Sequence, residues 1–138
     1  KVGAPTEAEM IEKRHRIEDA LEAVKAAQLE GIVPGGGVAL IRALPKKSGS
    51  PAERIVYEAV KEPIRQMARN SGESPDLILE QVQKAKGNRG YNFATGKMGN
   101  LLEEGVIDPV KVTITALTMA ASAAGTLLTT GYAIVEGE

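Results

Sequence analysis

The sequence contains no cysteine and no tryptophan, and it has one histidine and one phenylalanine. Without cysteine the chain forms no disulfide and offers no thiolate for catalysis or metal binding. A single histidine also argues against a zinc site built on imidazole ligands. These absences remove most thiol- and zinc-based chemistry from consideration.

The chain also lacks an excess of charge of either sign. Its 17 basic and 18 acidic side chains leave a net charge of −1. This balance gives no electrostatic reason to expect binding to nucleic acid or to an anionic membrane. We expect no membrane-spanning apolar run, and the first residues lack the basic-then-apolar order of a signal peptide. A cytoplasmic protein is therefore predicted, and Lys1 in place of Met suggests a piece of a longer chain.

Because aromatic residues make up only 3% of the chain, its core must be built from Ala, Val, Ile and Leu. These side chains suit close helix packing, and 138 residues can bury one core of modest size. The sequence predicts a mainly α fold, a helical bundle with one long helix at its start and one short strand at its end.

The long first helix is predicted from Thr6 to about Glu30. Thr6 and Glu9 have the spacing of a capping box, and Gly31 suits the position just past a helix end. Its apolar stripe is narrow and the remaining faces are polar. Such a helix is more typical of a bridge between two bodies than of a core.

Asp19, on this helix, has two interpretations. The residue pattern by itself favours a solvated carboxylate that pairs with His15, one turn earlier. The alternative is a carboxylate held over a site near the end of the helix, where it orients a water or acts as a general base.

Gly35, Gly36 and Gly37 follow the first helix and precede an apolar run. Glycine permits positive φ and lets backbone N–H groups approach a ligand or another backbone closely. The pattern matches neither the dinucleotide fingerprint nor the P-loop. A tight turn between helices is the favoured interpretation, and a phosphate cradle at a helix N-terminus is the alternative.

Further helices are predicted from their capping and breaking residues. Pro45 ends a short helix from Val38, Ser50 begins a capping box, and Pro63 divides the helix that follows. Another helix opens at Ser74 and is expected to bury four apolar residues, namely Leu77, Ile78, Leu79 and Val82.

The last third of the chain is expected to be irregular before one final helix. Residues 90–96 are predicted as a turn-rich segment, and Asn100 to Glu104 as a one-turn helix. Asp108 is predicted to cap the last helix, whose many small residues suggest a central, buried position. Tyr132 to Val135 form the predicted terminal strand, whose partner must come from missing chain or another subunit.

Several segments taken together resemble one known family. They occur at the family's separations and in its order, over essentially the whole chain: 16–20, 30–40, 90–92, 105–112, 116–117, 120–122 and 128–130. In these segments the chain resembles the C-terminal part of the bacterial and organellar group I chaperonins, the GroEL family.

The resemblance implies that residues 1–30 are the descending half of the intermediate domain, a hinge. Residues 31–138 would be the C-terminal part of the equatorial domain, which binds ATP with Mg²⁺. Asp19 falls on the family's catalytic aspartate, which reverses the preference stated above. The implied nucleotide-binding residues are Gly36, Asn92, Phe93, Ala94 and Asp108, and this chain supplies no metal ligand.

The resemblance also implies a homo-oligomeric double ring, a cochaperonin and unfolded protein clients. The magnesium-binding acid, the phosphate loop and the client-binding domain lie in the family's N-terminal half, which this chain lacks. The isolated chain is therefore expected to be inactive. The alternative is a structural helical module that self-associates without hydrolysing ATP. Phe93 departs from the family, which usually has a small residue there, and the loop from Leu44 to Pro51 is shorter than usual.

Overall fold

The computed structural model of the protein describes residues 1–45 and 49–134. Within them lie six helices and four short strands, so the mainly α prediction is confirmed. In chain order they are α1 Glu7–Glu30, β1 Ile32–Pro34, α2 Val38–Ala43, α3 Pro51–Ala59, α4 Glu62–Asn70, α5 Pro75–Lys84, β2 Arg89–Asn92, β3 Lys97–Asn100, β4 Ile107–Pro109 and α6 Val110–Thr129.

The ends of α1 follow from local chemistry. The Thr6 hydroxyl accepts the N–H of Glu9 at 3.3 Å, which satisfies one of the unpaired donors of the first turn. At the other end, Gly31 adopts φ 84° and its N–H donates to the carbonyl of Ala27 at 2.8 Å. Both predicted ends of this helix are confirmed.

Helices α3 and α4 also begin and divide as their sequences predict. Ser50 and Glu53 form a complete capping box, with the Ser50 hydroxyl accepting from Glu53 N–H and the Glu53 carboxylate accepting from Ser50 N–H. Pro63 lies in the first turn of α4, where its missing N–H leaves no helical hydrogen bond unmade. The chain is therefore divided between Ala59 and Glu62.

The core lies between α2, α4, α5 and the β2 strand. Its buried members come from the middle of the chain: Val38, Ile41, Ile64, Ala68, Ile78, Leu79, Val82, Tyr91 and Leu101. Of the four apolar residues expected inside α5, Leu77 is the exception, because it is exposed. The guanidinium of Arg42 ties this core together by donating to the carbonyls of Val82, Gly87 and Arg89.

The segment predicted to be irregular contains an antiparallel hairpin. β2 pairs with β3, with Gly90 opposite Gly99 and Asn92 opposite Lys97. The carbonyl of Asn92 accepts the N–H groups of Thr95 and Gly96, which closes the four-residue loop. The prediction of a one-turn helix from Asn100 was also wrong, since residues 101–105 form a series of turns.

Asp108 is not a helix cap. It lies in β4, opposite Val33 of β1, and Pro109 occupies the N-cap position of α6. Pairing with β1 holds Asp108 in extended backbone, and this non-local contact overrides the local capping signal. The N–H of Val110 then donates to the carbonyl of Gly31 at 3.1 Å, so α6 starts where α1 ends.

Helix α6 is not central and buried, as its small residues suggested. It packs against α1 and β4, and none of its residues is buried. The predicted terminal strand is also wrong for Tyr132 to Ile134, which are exposed and unpaired, because the described residues supply no strand beside them. Val135, the last residue of that prediction, lies outside the described residues.

The exposed α6 corrects the expectation that no apolar run is long enough to span a membrane. An 18-residue window of this 20-residue helix has a mean hydropathy of 1.5, and the helix meets that criterion by length and composition. A core helix of a larger soluble fold meets the same criterion, so this property alone assigns no location.

Candidate functional site

Three separate segments meet at the glycine turn, residues 35–37, between β1 and α2. The N–H of Gly35 donates to the carbonyl of Val106 at 3.0 Å, just before β4. On the other side, a Cβ on Gly36 would lie 3.7 Å from the carbonyl oxygen of Tyr91 in β2. The fold therefore brings the turn next to Asn92 on one side and to the β4 strand with Asp108 on the other.

The backbone of the turn requires glycine. Gly36 and Gly37 have φ values of 64° and 73°, in the left-handed region that side chains disfavour. Gly37 also packs tightly, since a Cβ there would lie 3.3 Å from the Ile64 nitrogen. Among the described residues, the N–H groups of Gly36 and Gly37 have no assigned acceptor. The turn can thus offer two backbone donors from a rigid frame.

Asn92 is 7% exposed and organises the hairpin loop. Its Oδ1 accepts the N–H of Ala94 at 3.0 Å, and its Nδ2 donates to Oε2 of Glu104 at 2.6 Å. Phe93 is half-buried and meets the Tyr91 ring edge-on, with 5.0 Å between ring centroids. Phe93 therefore occupies the wall of the loop and does not project freely into solvent.

Tyr91 anchors this loop to the core. Its hydroxyl donates to Oε1 of Glu73 at 3.1 Å, and its ring is buried. Loss of water around the phenol and the neighbouring carboxylate raise the pKa of Tyr91 above its ordinary value. The phenol thus stays a neutral donor at physiological pH.

The two predicted acids lie in different surroundings. Asp108 is half-buried in β4 and pairs with Val33, one residue before the end of the strand that leads into the glycine turn. Asp19 is exposed on α1, about 18 Å along the helix before Gly31 at 1.5 Å per residue. No ion pair joins Asp19 and His15 among the described residues. The fold therefore brings together Gly36, Asn92, Phe93, Ala94 and the strand of Asp108, and leaves Asp19 on the separate long helix.

Two cavities of the described residues are lined by residues outside this turn. One of about 390 Å³ is bounded by residues that include Arg42 of α2, Tyr57 and Lys61. An apolar one of about 200 Å³ lies between β1, α2 and α6. In the part of the chain that the structure describes, no three acidic or histidine residues cluster closely enough to hold a metal ion.

Sequence reasoning missed three residues that build this site: Tyr91, Glu104 and Val106. A hairpin signal was present, because a short run with Tyr91 is followed by a four-residue loop ending in glycine at position 96. Val106 contacts Gly35, which lies far away in sequence, and Glu104 bonds to Asn92 from the other side of the β2–β3 hairpin. No local pattern could have found them.

A comparison with protein-family models gives a match over residues 1–138, the whole chain. The matching family is the TCP-1/cpn60 chaperonin family. A role of the chaperonin type in protein folding follows from this match. The chain belongs to the TCP-1/cpn60 chaperonin family.

Proposed function

We propose that this chain is the C-terminal segment of an ATP-dependent group I chaperonin, and that it supplies about half of a nucleotide site. The observation that carries the proposal is the meeting of the glycine turn with the Asn92 loop and β4. These are the segments that the family resemblance associates with nucleotide. The glycine turn lies 56 residues before Asn92 and 72 residues before Asp108, counted from Gly36, so its approach to both is a property of the fold.

In this proposal the adenosine part of ATP lies along the site. The bare backbone of Gly36 allows close approach, and residues Asn92 to Ala94 border the base and ribose. The Asp108 carboxylate accepts hydrogen bonds from the ribose hydroxyls, for which it has free lone pairs. Phosphoryl transfer needs charge neutralisation as well, and we assign the magnesium-binding acid and phosphate loop to chain outside these 138 residues.

Asp19 is proposed to act as the catalytic carboxylate that orients the attacking water. Its exposure and its place on α1 require that the helix moves toward the nucleotide before the carboxylate can act. Such a movement couples hydrolysis to a change of shape. Residues 1–30 would then belong to the intermediate domain and residues 31–138 to the equatorial domain of a cytoplasmic double-ring oligomer. Its cochaperonin and unfolded clients would bind through other regions.

The test is binding and hydrolysis of Mg-ATP by the 138-residue chain and by Asp108→Asn and Asp19→Ala variants. We expect weak, millimolar binding that Asp108→Asn reduces and Asp19→Ala leaves unchanged, with no turnover. Asp76→Asn, on the surface of α5, is the matched control and should bind as the parent chain does. Turnover that Asp19→Ala abolishes would show that the absent phosphate loop is dispensable and would contradict the proposal.

A second candidate function, a helical module that self-associates, is favoured by the exposure of α6. Leu117, Leu127 and Leu128 are exposed on a helix with no charged residue after Lys111. Analytical ultracentrifugation decides between the two candidates. A concentration-dependent oligomer that Leu128→Lys dissociates, and that Ile55→Lys on α3 leaves intact, would support the module. A monomer at all concentrations would remove it.

A further inference from the structure

The side chain of Glu104 holds Asn92 at the centre of the proposed nucleotide loop. Glu104 Oε2 accepts from Asn92 Nδ2 at 2.6 Å, while Asn92 Oδ1 accepts from Ala94 N–H. A carboxylate only accepts and an amide nitrogen only donates, so this pair fixes which way the Asn92 amide faces. Asn92 is buried and Glu104 is exposed, so the bond is partly buried, and it is charge-assisted because the acceptor is a carboxylate.

Gly99 leaves room for that carboxylate. A Cβ built on Gly99 would lie 1.5 Å from Oε1 of Glu104 and 2.6 Å from its Cδ. The backbone of Gly99 lies outside the left-handed region, so its conformation does not require glycine. Space for the Glu104 side chain is therefore what a larger residue at position 99 would remove.

Asn92 also holds the rest of the loop through its own hydrogen bonds. The Asn92 carbonyl accepts the N–H groups of Thr95 and Gly96 at 3.2 and 2.9 Å. One residue thus closes the loop with its backbone and supports Ala94 with its side chain. When the Asn92 amide is fixed, the backbone from Phe93 to Ala94 is fixed with it.

We propose that Glu104 is a positioning residue for the nucleotide, which locks the Asn92 amide and so shapes the Phe93–Ala94 backbone that borders the base. The proposal rests on the proposed function, because it assigns no direct contact between Glu104 and the ligand. Loss of one charge-assisted hydrogen bond to a pre-formed loop should weaken nucleotide binding about three- to tenfold.

The effect of the Glu104–Asn92 hydrogen bond on the loop is tested first without nucleotide, on the isotope-labelled 138-residue chain. In Glu104→Leu we expect the side-chain amide resonance of Asn92 to shift and the Ala94 N–H to lose protection from hydrogen exchange. Gly99→Ala should do the same by displacing the carboxylate, and adding Glu104→Leu to it should have no further effect. Glu104→Gln, which retains an acceptor, should keep both signals, as should the control Glu103→Leu on the neighbouring exposed carboxylate.

The nucleotide role is tested by titrating each variant with millimolar Mg-ATP and following the Phe93 and Ala94 resonances. Glu104→Leu and Gly99→Ala should weaken ATP binding, whereas Glu104→Gln should bind ATP as the parent chain does. Unchanged Asn92 and Ala94 signals in Glu104→Leu would show that Glu104 does not fix the Asn92 amide.

If these signals change but the ATP affinity does not, the bond is merely structural and Glu104 has no positioning role for the nucleotide. Absence of ATP shifts in the parent chain would instead overturn the proposed function, with the first test still reporting on the lock.

Discussion

At the scale of single residues, Gly37 and Gly72 share a backbone conformation but differ in their surroundings. Their φ values are 73° and 76°, both in the left-handed region. A Cβ on Gly37 would lie 3.3 Å from the Ile64 nitrogen and 3.4 Å from Met67 Cε, whereas a Cβ on Gly72 would meet nothing within 4 Å. The two positions therefore separate the conformational demand for glycine from the steric one.

We expect Gly72→Ala to lower the free energy of unfolding by about 1 kcal/mol, the cost of a left-handed alanine. Gly37→Ala should cost about 2–3 kcal/mol, because the same strain is joined by crowding against Ile64. Urea unfolding followed by circular dichroism measures both values. Equal losses in the two variants would show that the turn yields to the added methyl group.

At the scale of elements, the ends of α1 and the division between α3 and α4 were predictable, and the strands were not. The capping box at Ser50 and the division at Pro63 depend on residues within one turn, so the sequence carries the whole signal. Asp108 carries an equally good capping signal, but β4 pairs with β1, some 75 residues earlier, and that pairing decides its conformation.

In the candidate site, too, some features were predictable from local sequence and others were not. The close backbone approach of the glycine turn follows from three consecutive glycines, and its position beside an apolar helix start was predicted. Its contact with the Val106 carbonyl and the bond from Asn92 to Glu104 arise only when distant segments meet. The approach of Asp19 to the nucleotide stays a prediction, because the exposed position of this residue on α1 does not test it.

Ser50 and Ser74 allow the capping contribution to be measured. Both are N-cap residues followed by proline, but only Ser50 accepts a side-chain hydrogen bond from its helix. Ser50→Ala should lower the free energy of unfolding by about 1 kcal/mol, and Ser74→Ala by a few tenths at most. Denaturant midpoints with an unchanged m-value would report this difference. A larger loss in Ser74→Ala would show that the hydroxyl of Ser74 acts elsewhere.

At the scale of the whole molecule, burial is concentrated in the middle of the chain. Every buried apolar residue of the described chain lies between Val38 and Leu101, and the two longest helices, α1 and α6, bury none. These helices lie against each other and against β4, outside the core. Their stability should therefore differ from that of the core.

Hydrogen–deuterium exchange should reveal two levels of protection. Amides of α5 and β2 are expected to exchange only on global unfolding, whereas those in α1 and α6 exchange through local opening at least tenfold faster. Mass spectrometry of peptic fragments measures both groups in one experiment. Equal protection throughout would mean that the pair of long helices is as stable as the core.

The geometry at Gly31 has a mechanical consequence. Gly31 ends α1 with a positive φ, and its carbonyl accepts the N–H of Val110, the first residue of α6. A rigid α1 of 24 residues would therefore pivot about this one residue. At 1.5 Å per residue, a tilt of about 10° about Gly31 displaces Asp19 by about 3 Å and Glu7 by about 6 Å. A small rotation at Gly31 thus produces a displacement of atomic size at the Asp19 carboxylate and a larger one at the N-terminal end of α1.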